Sequence, residues 1–185
     1  MSKITVKDVL LLCAKMLNLT DAASYLTTGT GTQNADVQAL LRCFNVVENE
    51  IALDYLPLYA EQEMNTQTGE IKYTALNKNV VNVLRVRDES GKSLPFKLFP
   101  DQLKTQSGKI VITYTYAPKE KILTDECECG IQVSTRLLAY GIAAEYAFAQ
   151  GMFEEAVVWD KKYKDAIEAT NCKKPSYILR SRRWA

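Results

Sequence analysis

Apolar residues recur at helical spacing in the first 55 residues. Over residues 6–18 and 35–55 they fall three or four positions apart, which places them on one side of a helix. Thr5 stands where an N-cap would stand, and Pro57 ends the second pattern. The apolar positions are Val6, Val9, Leu10, Cys13 and Leu17, then Val37, Leu40, Leu41, Phe44, Val47 and Ile51, with Glu48 as a polar position on the second face.

The pattern changes from helical to alternating over residues 59–118. In IVITYTYA, Ile110, Ile112, Tyr114 and Tyr116 face one way and the residues between them face the other, as in a half-buried strand. The turn signals QTGE, DESGKS and QSGK separate the apolar runs. We therefore predict five short strands, enough for a small antiparallel sheet or sandwich.

The helical period returns after residue 130. Helices are predicted over 131–149 and 152–169, and the small residues of AYGIAAEYAFA would let a neighbouring helix approach closely. Phe153, Ala156, Val157, Tyr163, Ala166 and Ile167 form the apolar face of the last helix.

The order helices, strands, helices predicts an α+β protein. Its expected architecture is a four-helix bundle with an inserted small antiparallel β domain and an extended C-terminal arm. The predicted units are the first part of the bundle (1–56), the inserted β domain (57–124), the second part of the bundle (125–170) and the arm (171–185).

Positive charge is concentrated at the end of the chain. The net charge is +1, but residues 171–185 hold five basic residues and no acid, which leaves 18 basic and 22 acidic residues in 1–170. This distribution argues against a general nucleic-acid binder, which would be basic over a whole face. Nothing reads as a signal peptide, and no apolar run approaches the roughly 20 residues that cross a bilayer. We expect a soluble protein made in a cytoplasm.

The residue types for common catalytic sites are missing. Histidine is absent, which excludes Ser-His-Asp and Cys-His nucleophile systems. No phosphate-binding loop, dinucleotide fingerprint or G-x-S-x-G motif is present. We expect no enzymatic activity, no cofactor and no metal.

Five cysteines and no signal peptide indicate free thiols. Cys127 and Cys129 form a C-x-C pair, a weak metal signal because a zinc site needs about four nitrogen or sulfur ligands. We predict a surface loop in which Asp125, Glu126 and Glu128 raise the thiol pKa values. The sequence leaves open whether the pair has a role.

Closely spaced carboxylates occur three times, at Glu48 and Glu50, Glu61 and Glu63, and Glu154 and Glu155. Pairs one or two positions apart do not face each other, so solvated faces are predicted rather than a catalytic pair. Glu145 lies in an apolar helix and is expected to be buried in a structural ion pair with Arg42 or Arg136.

The segment 171–185 combines cationic and apolar side chains. Pro175 prevents the last helix from running on. Aromatic and branched residues beside arginine are typical of interface anchors, so we predict an arm that orders on a partner, with plain terminal disorder as the alternative. The predicted contact residues are Lys173, Lys174, Tyr177, Ile178, Leu179, Arg180, Arg182, Arg183 and Trp184.

The chain resembles the head-to-tail connector, or adaptor, proteins of tailed bacteriophages. The resemblance lies in the order of elements and in ALDYLPLYAEQ, GKIVITYTYAPKEK, LLAYGIAAEYAFAQGMFEEAVVWDKKYKDAI and the final RSRRW. It implies a homo-oligomeric ring, commonly twelvefold, in the virion neck. It also implies a C-terminal arm docked in the portal protein, a β region facing the next tail protein, and a channel through which DNA passes without sequence-specific binding.

The sequence leaves two further functional readings open. A nucleic-acid-binding accessory protein could act through the basic tail at 171–185, and its DNA binding would then fall steeply with salt. An enzyme of unrecognised type is the third possibility, which the missing histidine and cofactor motifs disfavour.

Overall fold

The computed structural model describes residues 4–29 and 35–171, which form an α+β structure. The α-helices in these residues are α1 (Val6–Met16), α2 (Thr20–Thr28), α3 (Ala35–Glu50), α4 (Thr135–Ala149) and α5 (Phe153–Asn171). The strands are β1 (Leu58–Thr66), β2 (Glu70–Lys72), β3 (Asn79–Asp88), β4 (Lys97–Leu98), β5 (Gln102–Lys104) and β6 (Gly108–Ala117).

Side-chain caps fix where two of the helices begin. The Thr5 hydroxyl accepts a hydrogen bond from the Asp8 backbone N–H at 3.1 Å, and the Ser134 hydroxyl accepts one from the Leu137 backbone N–H at 3.1 Å. Each cap satisfies a backbone N–H that the helix itself leaves free. Helix α4 therefore starts at Thr135, four residues later than the start that the sequence pattern predicts.

Helix α4 is the centre of the helical layer, because α1, α3 and α5 all pack against it. Its small residues permit this close approach. A Cβ at Gly141 would lie 2.7 Å from Cγ1 of Val47 on α3 and 2.9 Å from Cε2 of Tyr163 on α5. The prediction that small residues admit neighbouring helices is thus confirmed at this position.

The prediction of a four-helix bundle is wrong. The helices are only partly packed: α5 folds back on α4 after Gly151, whose φ is +76°, but its outer side has no helix against it in the described chain. Phe153 is 64% exposed and Val157 is 61% exposed, although both occupy the apolar face read from the sequence. The four helices predicted for the bundle correspond to α1, α3, α4 and α5, and α2, which packs against α1, is a fifth helix in the described residues.

The described residues contain six strands in two small antiparallel sheets, whereas the sequence predicts five strands in a small sheet or sandwich. The first has the order β1-β6-β3, with β6 in the centre. Strand β1 pairs with β6 without interruption, whereas the pairing of β3 with β6 shifts register at Val81 and Leu84. The second sheet has the order β2-β5-β4. Side chains from both sheets form one buried apolar cluster: Ile71, Leu76, Val83, Val86, Leu103, Ile110, Ile112 and Tyr114.

The segments that connect helices and strands are themselves fixed. Helix α3 continues as a π-helical turn, Ile51–Tyr55, before β1 begins. After β6 the chain returns beside the start of α1, where the Val6 N–H donates to the Asp125 carbonyl at 3.0 Å and the Cys127 N–H donates to the Ile4 carbonyl at 2.9 Å. This return places residues 121–129 against α3.

Candidate interaction surfaces and a buried ionic cluster

The predicted docking arm lies outside the described residues. This holds for every residue of the predicted contact set: Lys173, Lys174, Tyr177, Ile178, Leu179, Arg180, Arg182, Arg183 and Trp184. The candidate sites below belong to residues 4–29 and 35–171.

Glu48 is buried, contrary to the solvated face predicted for it. Only 2% of the residue is exposed, and it lies on the side of α3 that faces the returning segment. Its Oε1 accepts a hydrogen bond from the Glu128 backbone N–H at 2.7 Å, while Oε2 has no hydrogen-bond partner in the described chain. Burial raises the pKa of this carboxyl to about 7, against the opposing effects of that N–H and of the nearby Lys121 charge.

Two lysines converge on the Glu128 side chain. The Nζ of Lys121, a residue only 7% exposed, donates to Oε1 at 2.7 Å, and the Nζ of Lys78 donates to Oε2 at 2.7 Å. Partial burial would raise the pKa of Glu128, but the two hydrogen-bonded ammonium groups outweigh it and lower the pKa to about 2. Glu48, Lys78, Lys121 and Glu128 together are called the ionic cluster.

The ionic cluster joins the two layers of the protein. Glu48 belongs to α3, Lys78 directly precedes β3, and Lys121 and Glu128 belong to the segment between β6 and α4. Asn45 on α3 holds this segment twice: its Oδ1 accepts from the Lys121 N–H at 2.7 Å, and its Nδ2 donates to the Lys121 carbonyl at 3.2 Å. The cluster can fix the β layer relative to the helices.

Cys127 and Cys129 are half-buried free thiols beside the ionic cluster rather than exposed loop residues. Burial raises the pKa of Cys127 to about 12 and that of Cys129 to about 11, with smaller contributions from the Glu48 charge. The predicted direction is confirmed, but the main cause is burial instead of the acids next in sequence. Among residues 4–29 and 35–171, no three His, Cys, Asp or Glu side chains are placed to hold a metal ion.

The predicted ion pair of Glu145 is not formed in the described part of the chain. Glu145 is half-buried, and neither Arg42 nor Arg136 makes a salt bridge with it there. The Arg136 guanidinium instead lies 5.8 Å from the ring centroid of Tyr140.

The turn between α4 and α5 exposes a group of large apolar side chains. Phe148 and Phe153 lie with their ring centroids 6.5 Å apart, one on each side of the turn. We call the group the α4–α5 corner; its members are Phe148, Met152, Phe153, Val157 and Val158, all exposed. An apolar group of this kind on a protein surface is typical of an interaction site.

A groove of about 470 Å³ continues from the corner toward the end of α1. The residues that line it are Met16, Leu17, Asn18, Glu154, Glu155, Val158 and Trp159. Trp159 stacks on Tyr140 with the ring centroids 5.9 Å apart, so this wall of the groove is held in place. Glu154 and Glu155 are exposed, as predicted, and neither has a salt-bridge partner among the residues described.

A second apolar surface lies on α3 and its π-helical extension. Val46 is 54% exposed and Leu53 is 47% exposed, while Val47 and Ile51 between them are buried. Arg42, one turn before Val46, is exposed and has no salt-bridge partner within the described chain. We call Arg42, Val46 and Leu53 the α3 stripe; it shares no residue with the α4–α5 corner.

Comparison with known proteins gives no family. No protein-family model matches the chain, and no curated protein matches its sequence. Within residues 4–29 and 35–171, no helix is both long enough and apolar enough to span a membrane.

Proposed function

We propose that the protein is a structural head-to-tail adaptor of a phage virion, forming a ring that joins the portal protein to the next tail protein. The observation that carries the proposal is the pair of exposed apolar surfaces, the α4–α5 corner and the α3 stripe, on different helices. A chain with two unlike surfaces can contact its neighbours head to tail, and such contacts generate a ring when the rotation between successive copies closes. The resemblance in element order supplies the class of assembly and its commonly twelvefold copy number.

The charge distribution supports the same function. Residues 1–170 carry a net charge of −4, and DNA moving through a channel is retarded less by such a lining than by a basic one. The basic segment 171–185 carries the apolar anchors of the proposed portal contact. In this proposal the protein resides in the virion neck, and DNA passes through the ring without sequence-specific binding.

The decisive experiment combines the full-length protein with the portal protein of the same virus. Light scattering and electron microscopy should reveal a ring bound to one face of the portal. Removal of residues 171–185 should abolish portal binding, because the docking anchors are then lost. A full-length chain that neither forms rings nor binds the portal contradicts the proposal.

The same truncation separates the adaptor from the nucleic-acid-binding alternative. A DNA-binding accessory protein should bind duplex DNA with an affinity that falls steeply with salt, and removal of 171–185 should abolish that binding. An adaptor should show weak DNA binding with and without the segment.

A further inference from the structure

We infer that the α4–α5 corner of one copy, with the groove beside it, receives the α3 stripe of a second copy. This inference rests on the proposed ring function, and it assigns the surfaces through which neighbouring copies make contact. The corner is an exposed apolar surface, and the groove beside it has both apolar and acidic lining residues, whereas the stripe is a convex helix face with two apolar side chains seven residues apart. An amphipathic helix that lays its apolar face against apolar side chains and pairs its charges at the edge is a common recognition geometry.

Charge favours this pairing over a contact between two identical surfaces. Glu154 and Glu155 line the groove and have no salt-bridge partner in the described chain. Arg42 lies at one end of the stripe and has no salt-bridge partner there either. When the stripe lies in the groove of a neighbour, Arg42 can approach these two carboxylates. If the corner and groove of one copy faced the corner and groove of another, the Glu154 and Glu155 carboxylates of both copies would come together. Four negative charges close together are unfavourable for binding.

The pairing is head to tail, because each copy uses the corner on one side and the stripe on the other. An open chain of copies therefore has one unused corner at one end and one unused stripe at the other until the ring closes. A mixture of a corner variant with a stripe variant can therefore distinguish this head-to-tail contact from a symmetric contact between two like surfaces.

The test uses the full-length chain in sedimentation velocity over a wide concentration range. The wild-type protein should associate with increasing concentration. Val157→Asp in the corner and Val46→Asp in the stripe should each weaken association at least tenfold, since each buries a charge in the contact. Both positions are exposed in the single chain, so folding should be preserved. Ile131→Asp, at an exposed apolar residue outside both surfaces, is the matched control and should associate as the wild type does.

An equimolar mixture of the two variants decides the geometry. The Val157→Asp chain retains an intact stripe and the Val46→Asp chain retains an intact corner, so the mixture should form a one-to-one dimer and no larger species. Absence of this dimer while the wild type associates overturns the assigned pairing. A wild-type chain that stays monomeric at every concentration overturns it as well.

Portal binding distinguishes failure of this inference from failure of the proposed function. If the mixture forms the dimer and the wild-type rings do not bind the portal, the contact stands and the adaptor function falls. If the wild type forms portal-bound rings and both variants do so equally well, the adaptor function stands and the contact is wrong.

Discussion

Glu48 and Glu128 are neighbouring glutamates with opposite pKa shifts, and the Glu128 backbone N–H donates a hydrogen bond to the Glu48 carboxyl. Glu48 is buried with one oxygen lacking a partner, and its pKa rises to about 7; Glu128 accepts from two ammonium groups, and its pKa falls to about 2. Both residues are glutamates, so the residue type does not set the direction of the pKa shift. The local balance between lost hydration and nearby positive charge sets it at each position. The consequences for stability have opposite signs.

Glu48→Gln should stabilise the protein above neutral pH. In the unfolded chain a glutamate ionises near pH ~4.3, whereas the folded protein keeps the Glu48 proton up to about pH 7. The free energy of unfolding contributed by Glu48 therefore falls as the pH rises through that window. Glutamine retains a carbonyl oxygen for the Glu128 N–H and carries no charge. Urea unfolding should show a gain of up to about 3 kcal/mol at pH 8 and little change at pH 4, and equal effects at both values would refute the assignment.

Glu128→Gln should have the reverse effect. It leaves the buried Lys121 ammonium without the carboxylate that accepts its hydrogen bond, which should cost about 3 kcal/mol at pH 7. Because the folded pKa lies below the unfolded value, this contribution is present above pH ~4.3 and is lost as the pH falls toward 2. The matched variant Lys78→Gln removes the more exposed ammonium group of the pair and should cost about 1 kcal/mol or less. Similar losses for the two variants in urea unfolding at pH 7 would contradict this ranking.

At the scale of elements, the sequence pattern predicts which side of a helix is apolar better than it predicts which element packs against that side. The helices α1, α3, α4 and α5 lie where periodicity indicates them. The bundle does not follow, because Phe153 and Val157 fit an apolar helix face and are nonetheless exposed. Periodicity cannot tell a face that packs inside one chain from a face that awaits another chain.

The short strands and the ionic cluster lie beyond what local pattern can predict. Strands β2, β4 and β5 have only two or three residues, too few for alternation to be read. The cluster joins Glu48 to Glu128, which is 80 positions away in sequence. The one local signal was Glu48 itself, a charged residue within an otherwise apolar helix face.

Gly141→Ala tests the close approach of three helices. The added methyl group would lie 2.7 Å from Cγ1 of Val47 and 2.9 Å from Cε2 of Tyr163, so α3 and α5 must move away from α4. The cost of overpacking should exceed the gain in helix propensity and leave a loss of about 2 kcal/mol in thermal or urea unfolding. Gly130→Ala is the control: no atom lies within 4 Å of the added Cβ, and its effect should stay within about 0.5 kcal/mol. Equal losses of stability at the two glycines would show that close packing around α4 does not cause the loss at Gly141.

At the scale of the whole molecule, apolar side chains fill two buried clusters and also form two exposed groups on the helices. The β layer buries its own side chains between two sheets, and the helical layer buries those around α4. The helices also leave the α4–α5 corner and the α3 stripe uncovered. A protein that works by contacting copies of itself and other proteins needs surfaces of this kind, and that requirement links the incomplete helical packing to the proposed function.

The pairing of residues 125–127 with residues 4–6 has a consequence for synthesis on the ribosome. The six strands of the described residues lie within Leu58–Ala117, so the β layer can fold as soon as that stretch has emerged. Helices α1 and α3, made earlier, must wait for α4 before their apolar faces are covered. Helices α1 and α3 are therefore made before the β layer and yet reach their final packing after it, and a chaperone that shields nascent helices would act longest on them.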